Sequence, residues 1–377
     1  MSDTAKPAKQ GGLAGVVAGQ TSISTVGKAG VGLTYRGYAI EDFAAQGTFE
    51  EVAYLLIYDT LPTEQQLQQF KERLKKGRHI PSDLQSLLVL IPQTANMMDV
   101  LRTVCSYLGC ITPESPQNDA YHIAENLLSC LPSALLFWYQ FHLKGIRIDT
   151  ETPTDTLAAH ILYLLSGQPA DPVLQRALDI SLILYAEHEF NASTFAARVT
   201  TATESDFYSA ICSAIGTLRG DLHGGANEKA MELIESFVSS EEVASKLRQM
   251  LAEKKLVMGF GHRVYSKSDP RSEIIKPLAK QLAESAGDKR LYPIAEAIEK
   301  VMWDEKKLFP NVDFFSAISY HFLGVPTPMF TPFFVFARLA GWTAHILEQR
   351  SSKKLIRPDA EYIGPGPQAY IGIQNRD

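Results

Sequence analysis

Helical periodicity runs through this chain almost without a break, and that repetition limits the possible folds more than any other feature. Thr48-Phe49-Glu50-Glu51 opens a stretch in which Val52, Leu55, Leu56 and Ile57 recur at helical spacing. A capped amphipathic helix is therefore expected over 48–58. Pro62-Thr63-Glu64 opens another, with Leu67, Phe70 and Leu74 on one face. The pattern returns over 99–108, 121–139, 155–165, 172–186, 206–218, 227–239, 240–254, 274–286, 291–306, 314–322 and 332–350. Only 22–26 and 33–35 read as strands, a short hairpin across Gly27 to Gly32. There is no regular β–α alternation, so a doubly wound sheet is not expected and the fold class is mainly α.

With 377 residues, the chain can bury a large core without a disulfide or metal staple. Its four cysteines, Cys105, Cys110, Cys130 and Cys212, form no C-x-x-C pair and suggest no zinc site. They read as buried or incidental thiols in a reducing compartment. The formal net charge of −6 argues against a nucleic-acid partner, although a few arginines in a pocket can still hold a small dianion. Residues 1–12 are polar and lack the apolar centre of a signal peptide. The most apolar stretch, 127–141, is broken by Ser129 and Pro132 and is too short to span a membrane. A cytoplasmic protein without a membrane partner is expected.

Two glycine- or proline-rich stretches divide the pattern. Arg219-Gly220-Asp221-Leu222-His223-Gly224-Gly225-Ala226 lies between two helices and suits a hinge. Gly324-Val325-Pro326-Thr327-Pro328 is the second. The expected organisation is a flexible tail over 1–14, a large helical domain over 15–223 and 329–377, and a smaller domain over 224–328.

Chemistry-bearing residues cluster in a few segments. His188 stands in Ala186-Glu187-His188-Glu189-Phe190-Asn191, His223 in His223-Gly224-Gly225-Ala226-Asn227, and His262 in Gly259-Phe260-Gly261-His262-Arg263. Each alone fits a turn or cap histidine. His188-Glu189 is no zincin motif, because the second ligand would fall at Ala192, and no metal site is expected. Asp313 sits between Val312 and Phe314. It reads either as the cap of the helix that follows or as a general base whose pKa is raised by apolar neighbours. Arg338, inside an apolar helix, needs a partner: a nearby acid, or a substrate carboxylate held in bidentate fashion. Arg271 and Arg357, taken singly, read as solvated surface charges.

The order of these segments carries more than any one of them. His223-Gly-Gly-Ala-Asn, Gly-Phe-Gly-His262, Asp269-Pro-Arg271, Phe-Pro-Asn-Val-Asp313, Ala-Arg338 and Ile-Arg357-Pro together resemble the citrate synthase family, from about residue 15 to 362. Thr25 to Tyr38, Tyr185 to Phe195 and Gly341 to Arg350 resemble its bacterial 2-methylcitrate synthase branch. That resemblance implies a two-domain helical fold and condensation of propionyl-CoA with oxaloacetate, with acetyl-CoA as a side substrate. Citrate synthase proper is the alternative, and an inactive helical scaffold the remote one. It implies that Asp313 removes the proton beside the thioester and that neutral His223 bonds the thioester carbonyl. His262 would polarise the oxaloacetate ketone. His188, Arg271, Arg338 and Arg357 would hold the carboxylates, Arg357 from a partner subunit. The backbone of Leu256, Val257, Met258, Gly259 and Phe260 would follow coenzyme A, which is a substrate, so no separate cofactor is implied. The missing N-terminal β domain of hexameric relatives implies a homodimer with shared active sites. Val312, Phe314 and Tyr185 are expected to shape the acyl pocket.

Overall fold

The computed structural model describes residues 15–27 and 32–376. It opens with three short antiparallel strands, β1 (Ser24–Val26), β2 (Leu33–Tyr35) and β3 (Tyr38–Ala39), in the order β1-β2-β3. β1 and β2 pair Ser24 with Tyr35 and Val26 with Leu33, which bears out the hairpin. Part of its turn, 28–31, lies outside the described residues, as does the tail over 1–14.

Helices follow. α1 (Ile40–Gln46), α2 (Phe49–Tyr58), α3 (Glu64–Lys76), α4 (Ser82–Leu90), α5 (Met97–Ile111) and α6 (Ala120–Tyr139) come first. α7 (Leu157–Ser166), α8 (Pro172–Tyr185), α9 (Ala192–Thr201) and α10 (Phe207–Leu218) lead to the glycine-rich turn. Beyond it lie α11 (Ala226–Glu235), α12 (Ser240–Ala252), α13 (Pro270–Ser285), α14 (Leu291–Lys306) and α15 (Val312–Phe322), and α16 (Phe330–Ser352) closes the set. The mainly α expectation holds. Sequence periodicity missed α1, α4 and α9. The first two are short, and α9 (ASTFAARVTT) carries too few apolar residues to mark a face.

Local signals explain the starts of several helices. α2 has a reciprocal capping box between Thr48 and Glu51, and α3 has one between Thr63 and Gln66. Asp171 caps α8, whose first residue is Pro172, so no backbone donor is lost there.

α16 is the axis of the molecule. It is buried on nearly every face from Phe330 to Ile346 and packs against α2, α6, α8 and α9. An all-round apolar helix of this kind belongs to a core. Gly341 is required within it: a Cβ there would lie 2.3 Å from the Ala186 carbonyl oxygen, where the chain leaving α8 crosses. α6 is buried in the same way and keeps Pro132 inside it. No described helix is long and apolar enough to cross a membrane. Among α11 to α15, α12 packs on α14 and α15 on both α11 and α13, while α13 and α15 also meet α8. The helices carrying Arg271 and Asp313 thereby face the one that carries Tyr185.

Candidate active site

Asp313 enters the site from the first turn of α15. The cap of that helix is Asn311, whose side-chain oxygen accepts the Asp313 backbone N–H at 3.1 Å. The alternative reading of Asp313 as the cap is therefore corrected, and its carboxylate is left to other partners. Tyr185, at the end of α8, donates its hydroxyl to Asp313 Oδ1 at 2.7 Å. Burial raises the Asp313 pKa, opposed by the Tyr185 bond and the Arg271 cation. A carboxylate that is held in place yet raised in basicity suits proton abstraction.

Two backbone stretches fix the distance between Asp313 and His262. Gly261 N–H donates to Phe309 O at 2.8 Å, and Asn311 N–H donates to Gly259 O at 2.9 Å. This small bridge needs Gly259, which has φ +86° and would bring a Cβ within 3.0 Å of Phe314. Beyond the bridge, His262 Nδ1 accepts the backbone N–H of Val264 at 3.1 Å. An amide can only donate, so the His262 proton resides on Nε2. Burial, with Arg271 nearby, lowers its pKa to about 4. The ring is neutral near pH 7 and presents an N–H.

His223 repeats this logic on the other nitrogen. It lies in the turn before α11, and its Nε2 accepts the Ser193 N–H at the start of α9, at 3.2 Å, and faces the Ser193 hydroxyl, which can donate to the same nitrogen, at 2.8 Å. Its proton therefore sits on Nδ1. Burial, and then Arg338, lowers its pKa to about 4. Neutral imidazoles with an available N–H are the donors that a developing oxyanion needs.

The arginines surround these groups. Arg271 is buried and doubly bonded to Asp269, Nε to Oδ1 at 3.0 Å and Nη2 to Oδ2 at 2.8 Å. The reading of Arg271 as a solvated charge is thus corrected. Burial alone would lower its pKa, but Asp269 outweighs burial and holds it above the ordinary value. Asp269 Oδ2 also accepts the Val312 N–H at 3.1 Å, tying the start of α13 to the start of α15. Arg338 is buried in α16 and donates Nε to the Tyr185 carbonyl at 2.7 Å, with its guanidinium 4.6 Å above the Phe334 ring. Among the described residues no carboxylate lies within 4.0 Å of it, so the alternative of a direct salt bridge is corrected. Burial lowers its pKa to about 10, so it still carries its charge near pH 7.

A run of close contacts joins the set. His223 meets Phe334 edge-on at 6.2 Å, Phe334 meets Tyr185 at 4.7 Å, and Tyr185 reaches Asp313. His188 is buried, lies 5.0 Å from the His262 ring, and its Nε2 is 3.2 Å from the Tyr265 hydroxyl. Burial and the surrounding cations push its pKa well below the usual value. Of the stretch expected to follow coenzyme A, Leu256 is exposed and Val257 and Gly259 are buried, while Met258 and Phe260 are half-buried beside the bridge. Arg357 does not join the cluster within this chain. It is exposed in the irregular tail after α16, where it meets Asp359 at 3.4 Å. Sequence reasoning gave no role to Asp269, Ser193 or Asn311. The Asp-Pro-Arg run was a usable signal for the first. The other two act through backbone contacts made across the fold.

Residues 12–359 match the family described as citrate synthase, C-terminal domain. The chain is 51% identical to a 2-methylcitrate synthase of Shewanella oneidensis over all of both chains. It is 40% identical to a citrate synthase of Synechocystis, covering 97% of this chain and 93% of that one. It superposes with TM-score 0.89 and 32% identity on a citrate synthase of the archaeon Thermoplasma acidophilum, solved as a ternary complex with carboxymethyl coenzyme A and oxaloacetate. That match covers 97% of this chain and 98% of the other. With fold, site geometry and full-length similarity in agreement, this chain belongs to the citrate synthase family.

Proposed function

We propose that this protein condenses propionyl-CoA with oxaloacetate and water, releasing 2-methylcitrate and coenzyme A. The observation that carries the reading is the pair of fixed tautomers around Asp313. Nδ1–H of His223 and Nε2–H of His262 are both free to donate, while Tyr185 orients the carboxylate. Asp313 takes a proton from the carbon beside the thioester carbonyl, and His223 donates to the carbonyl oxygen as the enolate forms. His262 donates to the oxaloacetate ketone and makes its carbon electrophilic. One such donor is typically worth about 3–4 kcal/mol in the transition state. His188, Arg271 and Arg338 hold the oxaloacetate carboxylates. The backbone of Leu256 to Phe260 lies along coenzyme A. After carbon–carbon bond formation, water cleaves the thioester and the thiol leaves.

The 51% identical relative supports propionyl-CoA as the main donor. Relatives named citrate synthase support acetyl-CoA as a second donor and keep citrate synthase proper as the alternative. The two donors differ by one methylene, which a pocket discriminates by about 1–3 kcal/mol. Coenzyme A enters as a substrate, and the proposed steps use no further cofactor.

The proposal extends to organisation. Residues 224–328 form the smaller unit that closes on the larger one, 15–223 with 329–377, and the packing of α11 to α15 on one another supports that division. Closure holds the two carbon centres in attack geometry. Two chains form a homodimer and exchange Arg357. Exposed apolar side chains along the tail, Tyr362, Ile363 and Tyr370, support its docking on a partner chain.

The test is thiol release with oxaloacetate and each acyl-CoA in turn. A higher kcat/KM for propionyl-CoA is expected. Comparable values for both donors would favour citrate synthase, and no release with either would refute the reading.

A further inference from the structure

Immediately beneath His188 lies a buried ionic chain that the proposed chemistry leaves without a task. Glu187 and His345 are both fully buried, with His345 Nε2 2.9 Å from Glu187 Oε1. Arg198, on α9, donates Nη1 to His345 Nδ1 at 2.9 Å and to Glu348 Oε2 at 2.6 Å. A guanidinium can only donate, so His345 Nδ1 is an acceptor and its proton sits on Nε2, aimed at Glu187. Glu187 Oε1 takes two more bonds, from the Ser24 hydroxyl at 2.9 Å and from the Glu189 backbone N–H at 2.6 Å. The Ser24 oxygen in turn lies 3.1 Å from that same Glu189 N–H. The Glu187 carboxylate thus closes a loop around His188, joining the residue before it to the residue after it. Glu189 has φ +52°, a conformation a glutamate adopts only when its surroundings impose it.

We infer that Glu187 and His345 are a positioning pair for His188: the carboxylate holds the strained turn that aims His188 at oxaloacetate, and His345 holds the carboxylate. The inference rests on the reading given above. The acceptor geometry of Oε1 is what matters. Burial alone would push the Glu187 pKa up, but His345, the Arg338 cation and the Ser24 hydroxyl together outweigh burial and hold it below the ordinary carboxylate value. Gly341 belongs to the same device, since a Cβ there would lie 2.4 Å from Glu187 Oε2.

The test compares Glu187→Ala, Glu187→Gln and Ser24→Ala with the unaltered protein, varying oxaloacetate and propionyl-CoA separately. Glu187→Ala is expected to raise the oxaloacetate KM at least about tenfold, with the propionyl-CoA KM within about twofold. Glu187→Gln keeps the acceptor oxygen and is expected to stay within about threefold on oxaloacetate. Ser24→Ala removes one of the three bonds and is expected to raise the oxaloacetate KM about two- to fivefold. It carries the test if Glu187→Ala does not fold. An unchanged oxaloacetate KM, equal rises for both substrates, or a glutamine variant no better than the alanine variant would each overturn the inference. Calorimetric binding of oxaloacetate alone, with no acyl donor, separates the two claims. Loss of thiol release in the unaltered protein condemns the proposed reaction. Equal oxaloacetate affinity across all variants condemns the positioning pair.

Discussion

At the Asp313 carboxylate, opposed influences settle how basic the group is. Burial raises its pKa, while the Tyr185 hydroxyl and the Arg271 cation restrain the rise. Asp313→Asn keeps the shape and removes the basicity. It is expected to lower kcat at least about 100-fold without changing the thermal midpoint, and a variant keeping half the normal rate would contradict its role. His160 makes the opposite kind of case, since it is fully buried and structural, lying between Ser133 at 3.0 Å and Thr152 at 2.9 Å. Burial lowers its pKa to about 3. The unfolded chain therefore takes up this proton first, near pH 6.5, and the stability that the neutral ring contributes is lost as pH falls toward 3. Between pH 6.5 and 5 the loss is about 1.6 kcal/mol, because the slope climbs from half of its full value of about 1.4 kcal/mol per pH unit at pH 6.5 to nearly all of it at pH 5. Denaturant titrations at the two pH values should show a shallower slope for His160→Gln, and an identical slope would count against this account. The residue types of the site were legible in the sequence, but their electrostatic surroundings were not. Arg271 reads as a surface charge until Asp269 is seen to be buried with it, and the two tautomers depend on the backbone N–H groups of Val264 and Ser193.

Among the elements, the segment joining α13 to α15 carries the most consequence. Asp269 caps α13, pairs with Arg271 and accepts the Val312 N–H, so one carboxylate sets the register of two helices that bear site residues. Removing its charge leaves Arg271 buried and unpaired, which costs about 3–5 kcal/mol. Asp269→Asn is expected to show that loss in denaturant unfolding, together with a raised oxaloacetate KM. A variant with normal stability and normal KM would show that the pair orders nothing. Helix positions were largely legible, because capping residues and apolar spacing are local signals. The Thr48 and Thr63 starts illustrate this. What links the elements was not legible. Nothing local in the sequence says why Gly259 and Gly341 must lack a side chain, and only the approach of Phe314 to one and of the Ala186 carbonyl to the other shows it.

Across the whole molecule, residues far apart in the chain meet: Tyr185 bonds Asp313, and Phe334 of α16 touches both Tyr185 and His223. Arg357 remains apart from the others within a single chain. If two chains exchange it, mixing Arg357→Ala with His223→Ala subunits should restore part of the activity, because one of the two sites in the mixed dimer is then intact. Confirmed mixed dimers with no recovery would rule out sharing. The condensation itself is tested most directly by solving this protein with oxaloacetate and a non-reactive acyl-CoA analogue bound together. The account predicts Asp313 within about 2.6–3.2 Å of the group replacing the reacting carbon, with His223 Nδ1 and His262 Nε2 donating to the two carbonyl oxygens. An analogue bound away from Asp313, or facing imidazoles turned to offer their other nitrogens, would contradict it.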